Sequence, residues 1–157
     1  MSQLFNPEMF LNTESDQALD TKRIPIPIDQ QDTFPGVIKG IAFRQNAGKK
    51  NPNEVYTFLD VTWTLQASPQ ILEAIARDEA QVRQSLIVDV NAAGTGLDFG
   101  KGKNIQLGRL REAVGQNQDG QPWAPSRLVG GSANVKIKHR IDGEDTYDEV
   151  DTVTPLE

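Results

Sequence analysis

The clearest hydrophobic pattern in the chain lies over residues 55–65. Val55, Thr57, Leu59, Val61, Trp63 and Leu65 share one parity, and Tyr56, Phe58, Asp60, Thr62 and Thr64 share the other. Such alternation predicts a strand with the first set in a core and the second on the opposite face. Gly36–Phe43 reads as an earlier strand, with Val37, Ile38 and Ile41 apolar and Pro35-Gly36 marking its start. Val82–Val90 reads as a third, with Leu86, Val88 and Val90 on one parity. Asn134–Arg140 reads as a fourth: Val135, Ile137 and His139 alternate with Lys136, Lys138 and Arg140. Asp142-Gly143 is a hairpin turn, and Thr146–Val153 is the fifth strand. Helical spacing replaces alternation twice. Ser68-Pro69 opens a short helix carrying Ile71, Leu72, Ile75 and Ala76. A second helix runs from about Asn104 to Val114 on Leu107, Leu110 and Val114, and Gly115 stops it.

Strand, strand, strand, helix, strand, strand is the element order of a small Greek-key barrel, the OB-fold. The expected fold class is therefore mainly β: an OB-like five-stranded barrel over 34–157, with a helix between strands three and four. Residues 1–33 are expected to form an extended N-terminal arm. Asn6-Pro7, the polar stretch 12–17 and Ile24-Pro25-Ile26-Pro27-Ile28 resist a regular helix or a central strand. The isoleucines of the Pro-Ile run belong on a core edge or on a neighbouring subunit. Phe5, Met9, Phe10 and Leu11 suit one apolar turn that docks, and Phe99 is placed to plug the barrel under the helix.

At 157 residues the chain is long enough for one self-sufficient core. It has no cysteine, which excludes a disulfide framework and thiolate metal sites. No apolar run reaches membrane-spanning length, and Met1-Ser2-Gln3-Leu4-Phe5 lacks the basic start of a secretory signal. The expectation is a soluble intracellular protein. The net charge of -6 argues at first against a polyanionic partner, but its distribution is uneven. Residues 99–140 hold eight bases against Glu112 and Asp119. Residues 141–157 hold seven acids and no base. A basic block is followed by an acidic end.

Within the basic block, Gly100-Lys101-Gly102-Lys103 precedes a helix N-terminus, a place that favours phosphate. It is not a nucleotide P-loop, because the spacing from an earlier glycine and the Lys-Ser/Thr pair are both missing. Lys136, Lys138 and Arg140 put three charges on one sheet face, which suits a phosphodiester backbone or plain solvent. Tyr56, Phe58, Phe43 and Trp123 are rings on which bases could stack, whereas Trp63 shares the core parity. Trp123, between Pro122 and Pro125, is either a loop anchor or an exposed platform. The single histidine, His139, suits a satisfied core or edge position. One histidine, no cysteine and scattered carboxylates leave no expected metal, cofactor or catalytic residue.

The runs Leu97-Asp98-Phe99-Gly100-Lys101-Gly102-Lys103-Asn104, Leu107-Gly108-Arg109-Leu110-Arg111-Glu112-Ala113 and Val135-Lys136-Ile137-Lys138-His139-Arg140 resemble a group of small bacteriophage proteins. The Pro-rich approach to the first strand and Asp60-Val61-Thr62-Trp63 are similar to them as well. Those proteins are often encoded among replication and recombination genes and are regarded as OB-fold single-stranded-DNA-binding proteins. The resemblance implies a non-enzymatic binder of single-stranded DNA with little sequence preference, working in the host-cell cytoplasm. On this reading Lys39, Arg44, Lys49, Lys50, Lys101, Lys103, Arg109, Lys136, Lys138 and Arg140 meet phosphates, while Tyr56, Phe58 and Trp123 stack bases. The acidic end would recruit phage replication or recombination proteins, although here the acids fall mostly in a strand and hairpin. A homo-oligomer is also expected. The rival reading is a virion structural protein, a capsid decoration or stabilising subunit, whose arm clasps its neighbours.

Overall fold

The computed structural model describes residues 5–156. Residues 1–4 and Glu157, which belong to the expected arm and acidic end, lie outside them. The elements are α1 (Pro7–Asn12), β1 (Thr33–Ala47), β2 (Val55–Leu65), α2 (Pro69–Ile75), β3 (Ala80–Val88), α3 (Ile105–Ala113), a 3-10 turn (Pro125–Leu128), β4 (Ser132–Asp142) and β5 (Asp145–Thr154). The five strands form one antiparallel sheet in the order β3-β2-β1-β4-β5. The sheet is open: β3 and β5 run close together but are not hydrogen-bonded. No helix among the described residues is long and apolar enough to cross a membrane.

Alternation decides the two faces. Leu59, Val61, Trp63 and Leu65 of β2 are buried together with Phe34 and Ile38 of β1, Val82, Leu86 and Val88 of β3, and Val135 and Ile137 of β4. Leu107 and Leu110 of α3 and Leu128 of the 3-10 turn complete this core. Trp63 is fully buried, and its indole N–H is satisfied by Gln84 Oε1 at 3.0 Å. Gly36 has no room for a side chain: a Cβ there would stand 3.0 Å from Val135 and 3.2 Å from both Leu65 and Trp63. Ser68 caps α2 through Ile71 N–H, and Pro69 occupies the first turn, where a missing N–H costs nothing.

Because the strands are antiparallel, the sheet has two chemically distinct edges. One carries the start of β1, the end of β2, the start of β3 and the β4–β5 hairpin. The other carries the β1–β2 hairpin and the end of β3. The arm runs along the first edge. Ile26 is fully buried in the core of its own chain, so the Pro-Ile run docks in cis. Three side chains clasp it. Asp148 Oδ1 accepts from Ile26 N–H at 2.9 Å, His139 Nε2 donates to the Ile26 carbonyl at 2.7 Å, and Arg77 donates to the Ile24 carbonyl at 2.8 Å. His139 is thus a satisfied edge residue. The apolar turn α1 forms as expected but does not dock. Phe5, Met9, Phe10 and Leu11 are all exposed, and only Phe5 and Phe10 pack on each other, with ring centroids 5.1 Å apart.

Candidate nucleic-acid interface

The β1–β2 hairpin carries two rings, Tyr56 and Phe58, on its outward face. Register pairs Arg44 with Phe58 and Asn46 with Tyr56, and pairs Phe58 with Ile87 across β3. All of these side chains point away from the core. Arg44 lies over the Phe58 ring, 4.6 Å from its centroid, and holds Asp60 with two nitrogens at 2.9 and 3.2 Å. Ser85 donates to the same carboxylate at 2.6 Å. These donors, Arg44 first, hold the Asp60 carboxyl below the usual range, and the same contact raises Arg44. Phe58 therefore serves as a platform whose outward layer is a guanidinium plane, a group that stacks on bases.

Tyr56 is the more accessible ring, at 42% exposure. Its hydroxyl donates to Glu54 Oε2 at 2.6 Å, and that bond raises the phenol pKa. The ring rests against the hairpin turn at Gly48. A Cβ at residue 48 would come within 2.9 Å of the ring and 2.7 Å of the Asn51 carbonyl, so only glycine permits the approach. Lys49 and Lys50 sit on that turn, exposed.

The turn before α3 lies on the same edge, because Asn104 is tied to the end of β3. Its Oδ1 accepts from Asp89 N–H at 2.7 Å, and its Nδ2 donates to the Asp89 and Asp98 carbonyls at 3.0 and 2.8 Å. The expected phosphate seat at this helix start is already filled from within. Asp89 Oδ2 accepts from Asn104 N–H at 2.8 Å, and Asp98 Oδ1 accepts from Gly100 N–H at 2.8 Å. What the turn offers an outside anion is the pair of exposed side chains Lys101 and Lys103. Like Lys49 and Lys50, they make no ion pair among the described residues.

The remaining candidates lie elsewhere. Lys136 is paired with Thr33 at the beginning of β1, so Lys136, Lys138 and Arg140 run away from the rings toward the opposite edge. They are also engaged. A bulge in β5 brings Asp151 between the two lysines, at 3.9 and 4.0 Å. Arg140 holds Glu149 at 2.6 Å and stacks on Tyr147. Lys39, at a bulge in β1, pairs with Glu79 at 3.0 Å. Arg109 lies with Arg83, Lys138, Glu149 and Asp151 in a groove of about 540 Å³ between β3 and β5, where both signs mix.

Trp123 is the loop anchor. It is half-buried, its N–H donates to Gln116 Oε1 at 2.9 Å, and Arg111 lies 4.1 Å over its ring. Phe99 does not plug the barrel. It is 64% exposed and meets Trp123 edge-on at 6.4 Å. With Phe43, Val90, Leu97 and Pro125 these two rings line a second, apolar pocket of about 540 Å³ at the end of the core. Arg83 and Ile87 were missed by the sequence reading. Both lie on the outward parity of β3, a signal present in Gln81-Val82-Arg83-Gln84-Ser85-Leu86-Ile87 once the register with β2 is known. Comparison with protein-family models and with curated proteins returns no match.

Proposed function

We propose that this chain is a non-enzymatic binder of single-stranded DNA, with the strand crossing the outer face of β1, β2 and β3 at the hairpin edge. One observation carries the reading: Tyr56 and the Arg44–Phe58 stack stand on the outward face of the β1–β2 hairpin, whose turn exposes Lys49 and Lys50, and the turn that exposes Lys101 and Lys103 lies at the same edge of the sheet. Rings provide sequence-tolerant stacking and lysines neutralise phosphates. The strand order supports the OB-barrel assignment. An order of β3-β2-β1-β4-β5 is compatible with such a barrel left open between β3 and β5, and α3 touches both of those strands. The resemblance of the runs 97–104, 107–113 and 135–140 to phage single-strand binders points the same way.

The test is a titration of a labelled oligo-dT by fluorescence anisotropy. Four phosphate contacts on a single strand give a log–log salt slope of about -2.8, so affinity falls about 50-fold between about 50 and 200 mM salt. Tyr56→Ala weakens binding with the melting temperature unchanged, and Arg44→Ala weakens binding while also lowering the melting temperature, because Asp60 loses its partner. Salt-independent binding, or binding unaltered in both variants, refutes the reading. A second reading, the virion structural subunit, is favoured by the undocked apolar turn α1. It predicts the protein in purified virions and no affinity for oligo-dT.

A further inference from the structure

The chain carries an apolar hook without a seat and an apolar seat without an occupant. The hook is the segment Phe5–Leu11. Its Phe5, Phe10 and Leu11 are more than two-thirds exposed, and among the described residues no hydrogen bond or ion pair joins residues 5–21 to the rest of the chain. The first tie is Lys22, which meets Glu144 and Asp145 at the β4–β5 hairpin. The seat is the pocket of Phe43, Phe99 and Trp123, in which Phe43 and Phe99 remain largely open to solvent.

We infer that the hook of one copy fills the pocket of the next, joining copies end to end. Polarity decides between this and closure within one chain. The arm leaves at the β4–β5 hairpin edge, and the pocket lies at the opposite edge, beyond the end of β3. The eight steps between the first and last of the nine residues of β3 put these edges about 27 Å apart at about 3.4 Å per step. Residues 13–21 span at most about 30 Å when fully extended. To reach its own pocket the arm would have to reverse and run taut along the sheet. To reach a second copy it need only continue outward.

Charge agrees with this direction. The arm-exit edge sets Asp142, Glu144 and Asp145 against Arg140 and Lys22, an excess of acid, and the pocket edge exposes Lys49, Lys50, Lys101 and Lys103. An end-to-end contact places opposite signs together. It is also heterologous, each copy using two different surfaces, so it propagates into open chains or rings rather than stopping at a symmetric dimer.

The experiment is sedimentation velocity on the full chain without DNA, over a wide concentration range, so that its failure is independent of any failure to bind oligo-dT. The wild type is expected to sediment as a concentration-dependent ladder of oligomers. Phe10→Asp removes the hook and Phe43→Asp fouls the seat, and each variant alone is a monomer. Mixed in equal amounts, they form a dimer and nothing larger, because the Phe43→Asp copy still owns a hook and the Phe10→Asp copy still owns a seat. Phe99→Asp, at a more exposed position, repeats the seat test should Phe43→Asp fold poorly. A wild type that stays monomeric throughout overturns the inference. So do oligomers that survive Phe10→Asp, or a mixture that remains monomeric.

Discussion

Asn104→Ala tests how the lysine turn and the end of β3 are held. Asn104 is the only buried polar residue among those described, and its side chain makes three hydrogen bonds: one from Asp89 N–H and two to the carbonyls of Asp89 and Asp98. Each such bond is worth about 1 kcal/mol net. The residue also sits at φ 54°, ψ 45°, the left-handed region, where alanine lacks the local hydrogen bonding that eases asparagine and costs about 1 kcal/mol more. The sum is about 4 kcal/mol. For a domain of this size that lowers the melting temperature by about 8–16 °C. Asn104→Gly loses the same three bonds but not the backbone comfort, so it should melt above Asn104→Ala, at a cost of about 3 kcal/mol. Thermal denaturation followed by circular dichroism measures both. An alanine variant within about 2 °C of wild type, or one more stable than the glycine variant, would refute the account.

Three further outcomes follow from the same geometry. Lys49→Ala with Lys50→Ala should flatten the salt slope of oligo-dT binding by about 1.4, whereas Lys136→Ala with Lys138→Ala, already engaged by Asp151, should leave it unchanged. Gly36→Ala should cost about 1–3 kcal/mol in chemical denaturation, because its methyl meets three side chains packed in the core. Acid denaturation should separate Asp60 from Asp148. The Asp60 carboxyl, lowered by Arg44, adds stability above its ordinary value that is lost as pH falls through the lowered one, so Asp60→Asn flattens the acid limb below about pH 4. Desolvation raises Asp148, so the folded state takes up its proton first and gains from acidification; Asp148→Asn should make the acid loss steeper.

Alternation in the sequence was enough to place β2 to the residue, because Leu59, Val61, Trp63 and Leu65 on one face are buried and the residues between them are not. It shortened β1, which reads as 36–43 and runs over Thr33–Ala47. At its far end Gln45 and Asn46 pair across the hairpin rather than pack in the core, and at its start Pro35-Gly36 reads as a boundary although Phe34 before it is fully buried. The cap of α2 was legible in Ser68-Pro69 because it is local chemistry. The lysine stripe of β4 was legible as a stripe but not as a neutralised one. Its partners come from a β5 bulge at Asp151, and no local pattern announces a bulge. Phe99 was misplaced for a similar reason. Spacing puts it before a helix but does not fix the direction of its ring, which meets Trp123 edge-on at the end of the core. The lysines that make no ion pair among the described residues lie on two turns far apart in sequence, and the antiparallel register together with the Asn104–Asp89 tie brings those turns to one edge.

That register also bears on how a chain of net charge -6 can meet a polyanion. At physiological salt the screening length is about 8 Å. The acids of the β4–β5 hairpin stand a full strand length from Tyr56, about 27 Å or three screening lengths, so their repulsion of a phosphate at the ring edge is largely extinguished. The carboxylates nearer the rings are already in use: Asp60 is held by Arg44 and Ser85, Glu54 by the Tyr56 hydroxyl, and Asp89 and Asp98 by backbone N–H groups. A phosphate arriving at that edge therefore meets the exposed Lys49, Lys50, Lys101 and Lys103 and carboxylates that each already accept a hydrogen bond from the chain itself. What it encounters is decided within one screening length, and the overall sign of the molecule is not.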